Sequence, residues 1–433
     1  MTGGWRSTTI QEFVDRGEAE LKTGPFGTQL HASDYVEHGT PVINVRNIGF
    51  GTIVPEKLEY ISDETVGRLA SHLLQADDIV FGRKGAVERH AFMKSRHDKW
   101  FQGSDCLRLR VNGPNLVPRF LSYCFLTDDH KQWMMNQCSH GATMASLNQA
   151  VICRIAFRLP PPPIQQGIAS ILSIYDDLIE NNTRRIKMLE DMAQMLYREW
   201  FVNFRFPGHQ KVKMVDSELG PIPVAWTVEP LEAVCKRVTD GSHWSPQTVE
   251  SVHLMASSKD MHRWGLTLST CRTIAKEDFD TLVRNDCKPL AGDVLITKDG
   301  ANYLKFCFTV ENDMDVVLLS SVAIIRPNPI RASSHFLAFY LSDESVKTRL
   351  AGRVSGAAIP RIVLKDFRYF KVVVPPMAIQ NHFVQIVEPM VALCWRLINK
   401  NTNLRSTRDF LLPKLISGEV PVQAAAEAME QTA

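Results

Sequence analysis

Asp78–Ala86 reads D-I-V-F-G-R-K-G-A, and Asp293–Ala301, 215 residues further on, reads D-V-L-I-T-K-D-G-A. In both, an acid precedes an apolar run, and a polar turn carrying a basic residue closes it in Gly-Ala. Two more landmarks keep the same offset. Gly141-Ala142 is answered by Gly356-Ala357, and L-P-P-P-P-I-Q at Leu159–Gln165 by V-P-P-M-A-I-Q at Val374–Gln380. Chance pairings would not hold one offset across three independent sites, so the chain is read as an internal duplication. A fourth landmark shifts it: Leu178–Thr183 (L-I-E-N-N-T) aligns with Leu397–Thr402 (L-I-N-K-N-T) at an offset of 219. The second copy has gained four residues after its prolines. That is close to one helical turn of about 3.6 residues, so a helix absorbs the insertion with little rotation of its apolar face.

Each copy has two parts. Residues 1–159 and 220–374 mix short β-rich runs (Pro41–Val45, Leu107–Val111, Val316–Ile325, Tyr369–Val374) with short helical stretches (Phe120–Thr127, Phe336–Leu341), punctuated by Gly, Asp and Asn. This predicts two similar mixed α+β globules. The prolines after each favour extended backbone leading into a helix, since proline is tolerated in a first helical turn. From there apolar residues recur every three or four positions: Ile168, Ile171, Tyr175 and Leu178, then, after Asn182 interrupts, Ile186, Leu189, Ala193, Leu196 and Trp200 in the first copy. The second copy offers Phe383, Ile386, Leu393, Leu397, Leu404 and Leu411, with Pro389 placed to kink the helix and Pro413 near its end. A helix of forty residues spans about 60 Å, and a stripe that long needs a covering partner. The expected fold is therefore two globules alternating with two long helices that pair with each other. Its segments are 1–159, a helical spacer at 160–205, a Pro/Gly-rich linker at 206–219, 220–374, a second spacer at 375–420, and a flexible tail at 421–433.

Composition narrows the function. Among 433 residues, 45% are hydrophobic and 22% charged, with 49 Lys and Arg against 47 Asp and Glu, a net charge of +2. Disordered and collagen-like chains are excluded, as is a surface basic throughout. Nine scattered cysteines without a C-x-x-C pair argue against a zinc site or disulfide framework. With no signal-like apolar run and no membrane-length segment, the expected setting is the cytoplasm.

Catalytic motifs are missing: no phosphate-cradling P-loop, no H-E-x-x-H, no G-x-S-x-G, and no Asn-Pro-Pro-Tyr-like tetrapeptide of adenine-amino methyltransferases. Asp293 and Lys298 superficially suggest a nuclease, but the second carboxylate beside the lysine is absent. Basic residues cluster instead. Eight (Arg83, Lys84, Arg89, Lys94, Arg96, Lys99, Arg108, Arg110) face three acids between positions 81 and 110, and seven face Asp366 between 345 and 371. Basic loops at matching places in a duplicated chain suit a phosphate backbone, where binding releases counterions. A solvated charged face is the other reading of either cluster alone.

The order globule, proline-led helix, globule, proline-led helix comes with four further stretches. These are G-P-F-G-T-Q-L (Gly24–Leu30), T-D-G-S-H-W-S-P (Thr239–Pro246), R-E-W-F-V-N-F-R-F-P-G (Arg198–Gly208) and L-P-K-L-I-S-G (Leu412–Gly418). From about residue 10 to 420 the chain resembles the specificity subunits of type I restriction–modification enzymes. The resemblance implies two target recognition domains, each reading half of a bipartite double-stranded DNA site, and two helices that pair as an antiparallel coiled coil. It implies as partners two methylation subunits docked on the helices and, in the full complex, restriction subunits. S-adenosylmethionine, ATP and Mg would belong to those partners, and none of them to this chain. The subunit itself would be non-catalytic, while the assembly would methylate adenine N6 and cleave DNA using ATP.

On this reading the DNA-facing residues of the first globule are Gly24, Phe26, Gly27, Thr28, Arg83, Lys84, His140 and Thr143. Those of the second are Asp240, Ser242, His243, Trp244, Lys298, Asn302, Ser355 and Arg361. Arg and Lys can read guanine, and Asn adenine, in the major groove. Asp299 stands where the first copy has Lys84, so the two loops should read different bases. Gly24, Gly141 and Gly356 are also explained by turns that need glycine. Two rival readings stand: a self-contained methyltransferase or nuclease, and a coiled-coil scaffold without DNA specificity.

Overall fold

In the computed structural model, residues 5–26, 29–138, 145–352 and 361–425 are described. The chain divides into two units, residues 1–180 with 401–433, and residues 181–400. Each holds one globule and a segment of both long helices.

In the first unit, Ala19–Thr23, Cys106–Val111, Ile79–Gly82 and His90–Phe92 lie side by side as a four-stranded antiparallel sheet. In the second, Cys235–Asp240, Val322–Pro327, Val294–Thr297 and Cys307–Thr309 form a sheet of the same order and direction. The acids that open the two signature runs do the same work in both. Asp78 is 1% exposed, accepts from the Gln75 amide and is held by both nitrogens of the Arg110 fork at 2.7 Å. Asp293 is 1% exposed, accepts from the Leu290 amide and is held by Arg326 at 2.8 and 2.9 Å. A buried carboxylate needs such pairing. Asp293 is thus a structural group rather than half of a nuclease site.

A second sheet backs the first in each unit, and here the copies diverge. The first unit has four strands, Tyr35–Val36, Glu59–Ile61, Thr40–Ile43 and Phe101–Gln102, the last pair parallel. The second has three, Arg272–Ile274, His253–Ala256 and Val316–Leu318, again with a parallel pair. Each globule is closed by an antiparallel pair joining its two ends: Arg6–Thr9 with Ala156–Leu159, and Thr227–Pro230 with Lys371–Val374. Helices Pro118–Cys124, Asp128–Cys138 and Gln149–Cys153 of the first have counterparts in Ser334–Ser342, Glu344–Ala351 and Leu364–Arg368. The apolar run at Val316–Ile325, expected as one strand, is two strands that belong to different sheets.

The long helices are Pro162–Tyr197, continued by a wider turn at Arg198–Val202, and Met377–Ser417. The second runs unbroken through Pro389 and Pro413. The two segments run antiparallel within each unit. In the first, Asp176 meets Arg408 at 2.7 Å, and the Asn401 amide reaches the Ile179 carbonyl at 3.3 Å. In the second, Cys394 lies near the Ile186 carbonyl, and the Tyr197 and Phe383 rings are 6.3 Å apart.

Of the predicted stripe, Ile168, Ile171, Trp200, Phe383 and Leu397 are buried, and Tyr175, Leu189, Leu196, Ile386, Leu393, Leu404 and Leu411 are half-buried. Leu178 is not in the seam: it is 38% exposed, and the adjacent Ile179 is buried at 8%. Asn182 interrupts the apolar stripe from within the seam. Both it and Asn401 are buried, as polar residues at single seam positions of coiled coils are.

The predicted linker and tail are also partly packed. Phe206 is buried against Trp226, and Val422 lies against Gly167. Among the described residues, no helix is long and apolar enough to cross a membrane.

Candidate nucleic-acid interface

The loop after the first strand of each main sheet begins with a glycine that has no room for a side chain. A Cβ on Gly24 would lie 2.0 Å from the Gly103 carbonyl oxygen, and one on Gly241 would lie 2.2 Å from that of Leu318. Both amides point to the neighbouring strand, Gly24 to Cys106 and Gly241 to Val322. The glycines are therefore structural, allowing two backbones to touch. Just beyond its glycine each loop turns an aromatic side chain to solvent: Phe26 is 56% exposed and Trp244 53%.

Beside each glycine loop lies the turn that ends the signature run. Arg83 and Lys298 are equivalent, their carbonyls accepting from Leu147 and Ile362, and their amides bonding to Asp105 and Ser321. Gly85 and Gly300 come next, with φ of 79° and 76°. Isolated bridges then join Lys84 to Ser146 and Asp299 to Arg361.

The side chains on these matched backbones differ. Arg83 is half-buried with its guanidinium 4.9 Å from the centre of the Phe26 ring. Lys84 is exposed and pairs with Asp105 at 3.3 Å. Lys298, expected as an open contact residue, is instead 1% exposed and pairs with Asp240 at 3.2 Å. Asp240 and Ser242 are themselves buried, and the Asn302 amide is spent on the Ser258 carbonyl at 2.9 Å. His243 and Arg361 are exposed. Gly27, Thr28, His140, Thr143 and Ser355 lie outside the described residues, as do Gly141 and Gly356.

The two basic clusters are less available than their counts imply. Arg108 is 2% exposed and bound to Glu20 at 2.7 Å, and Arg110 is committed to Asp78. Lys94 and Arg96 both reach Glu180 on the long helix, at 2.8 and 2.5 Å. Burial pushes the Glu180 carboxyl up, but the hydrogen bonds from those two cations outweigh it and hold it at about 2. In the second cluster Arg349 donates to the Lys371 carbonyl, Arg368 to that of Val238, and Lys371 pairs with Glu218. These cations are engaged with partners of their own globule or helix, although Arg96 and Arg368 remain exposed. Phe50 is 45% exposed and flanked by Arg89 at 5.2 Å and Lys131 at 5.4 Å. Only folding brings those three residues together. Among the described residues, no group of three or more His, Cys, Asp or Glu could hold a metal ion.

Two globules of one architecture, each presenting an aromatic-tipped loop beside a variable turn and each mounted on paired helical segments, define a tandem recognition protein. A family profile described as "Type I restriction modification DNA specificity domain" matches residues 27–191. The chain is 28% identical over 326 residues to the type I restriction enzyme MjaIX specificity subunit of Methanocaldococcus jannaschii, covering 71% of this chain and 70% of that one. To the putative MjaX specificity subunit of the same organism it is 22% identical over 395 residues, 89% and 88% of the two chains. The crystal structure of the S subunit of a type-I restriction-modification system from M. genitalium shares the fold, with a TM-score of 0.60 at 14% identity over 95% of this chain and 96% of that one. Over most of its length the chain is thus similar to specificity subunits of type I restriction enzymes.

Proposed function

We infer that this subunit selects the DNA sequence on which a type I assembly acts, each globule reading one half of a bipartite duplex target. The observation that carries this is the matched pair of turns at 83–85 and 298–300. At 83–84 and 298–299 the backbone makes matching bonds in both, while Arg-Lys in one is replaced by Lys-Asp in the other. Matched frames with different side chains suit two unlike half-sites, because base edges are read by side chains and the frame sets their approach. The exposed members, Phe26, Lys84, His243, Trp244 and Arg361, are the residues placed to meet DNA.

The partners are two methylation subunits docked on the helices and, in the full complex, restriction subunits. S-adenosylmethionine, ATP and Mg act on those partners. Adenine-N6 methylation and ATP-dependent cleavage are then properties of the assembly, and this chain does no chemistry.

The test is to reconstitute the chain with its methylation partner and map methylated adenines on random-sequence DNA. A bipartite target with two unlike halves is expected, with no methyl transfer by the chain alone. Methylation without a preferred site would favour a scaffold, and transfer by the isolated chain would favour a self-contained enzyme.

A further inference from the structure

We propose that Lys298 and Asp240 form a buried clamp that aims the His243–Trp244 tip, so that this ion pair sets specificity for the second half-site without touching DNA. The inference rests on the reading that the chain selects DNA sequence, and deepens it.

Loop 240–244 is held at Asp240, Gly241, Ser242 and Trp244. The Asp240 carboxylate receives Lys298 at 3.2 Å from the strand end beneath and His243 at 3.3 Å from the tip itself. Gly241 and Ser242 donate to Val322 and Leu318, and the Ser242 carbonyl accepts from Ser320. The Ser242 hydroxyl accepts from the Trp244 amide at 3.0 Å and donates to the Trp244 carbonyl at 2.7 Å. The result is a rigid turn with His243 and Trp244 standing in solvent, the His243 imidazole within 3.3 Å of the buried carboxylate. A lysine 1% exposed and a carboxylate 6% exposed are costly to bury. Two apolar residues of like volume would fill the same space, and would put no carboxylate beside the imidazole.

The first globule uses the same position differently. Arg83 also leans on the glycine loop, but from a half-buried place, through the face of Phe26 at 4.9 Å. In both globules the cation ending the signature run therefore acts on the recognition loop. In the second it has withdrawn from the surface entirely, so reading falls to the tip.

The test uses the full chain reconstituted with its methylation partner, and duplexes carrying the mapped target or single-base changes in either half. Asp240→Asn/Lys298→Met removes both charges together, so the fold is expected to survive with little change in thermal midpoint. Discrimination at the second half-site should fall at least ten-fold, with the first unchanged. Trp244→Ala, on the exposed tip, leaves the clamp intact and should show the same one-sided loss. Lys298→Met alone strands a buried carboxylate, and should lower both stability and second-half discrimination. Full second-half discrimination in the double variant or in Trp244→Ala overturns the proposal, as does equal loss at both halves. A wild-type complex with no preferred site would instead refute the DNA-selecting role itself.

Discussion

Gln165 and Gln380 offer a quantitative test of the duplication, because each is fully buried and makes the same three hydrogen bonds. The Gln165 carbonyl accepts from the Val117 amide at 2.8 Å, and its amide donates to the Asn115 and Pro160 carbonyls at 3.0 and 2.8 Å. Gln380 accepts from Ser333 at 2.9 Å and donates to Arg331 and Pro375 at 3.2 and 2.8 Å. In both, the side chain joins the first turn of a long helix to the residue capping a globule helix. Replacing either by Leu keeps the volume but strands one amide and two carbonyls. At roughly 1–3 kcal/mol per orphaned group, less what relaxation and water recover, the loss should be about 3–5 kcal/mol. That is a large share of a typical domain's stability of roughly 5–15 kcal/mol. Urea unfolding measures the total, and hydrogen exchange at Val117 and Ser333 locates it. Each variant should lose protection in its own globule by a similar amount. A loss below about 1 kcal/mol, or unequal losses at the two sites, would refute the claim that these glutamines are matched keystones.

Three further outcomes are expected. Gly24→Ala and Gly241→Ala force a Cβ onto a backbone oxygen and should each cost about 2–4 kcal/mol; a thermal midpoint within a degree of wild type would contradict the built clash. Burial holds His90 down at about 3, and His72, His97 and His130 at about 4, so all four are neutral when folded. The unfolded chain then takes up more protons below its ordinary histidine value. Stability is complete above about pH 6.5 and falls towards about pH 4, His90 alone contributing about 2 kcal/mol of loss by about pH 5. Urea midpoints between about pH 7.5 and 4.5 would show this, and a flat profile would contradict it. Asp176→Ala removes one carboxylate that receives Arg119 and Tyr123 from one helix and Arg408 from another, at 2.7, 2.6 and 2.7 Å. It should cost about 3 kcal/mol in denaturant unfolding, since two guanidiniums lose their shared partner; a neutral result would show the network to be idle.

The duplication was legible because some structural tasks admit only one side chain at one spacing. Gln165 and Gln380 each bridge an amide and two carbonyls, and Asp78 and Asp293 each cap a turn while holding an arginine, so both pairs recur 215 residues apart. Helical periodicity likewise announced two long helices. It could not decide between Leu178 and Ile179, adjacent residues either of which fits a three-and-four spacing, because the choice depends on the phase of the opposing helix.

Charge was the least legible property. Lys84 and Lys298 sit in equivalent turns one residue apart in register, yet the first side chain is 58% exposed and the second 1%. Counting basic residues predicted two open patches, whereas strand alternation and distant acids such as Glu20, Asp78 and Glu180 pair with half of the first one. The repeat, the kinds of element and the glycine and glutamine keystones were thus written in local sequence, since each answers to the backbone around it. Which cations face solvent, and which only aim another residue, was settled by tertiary packing, because a charge is buried or free according to partners brought from far along the chain.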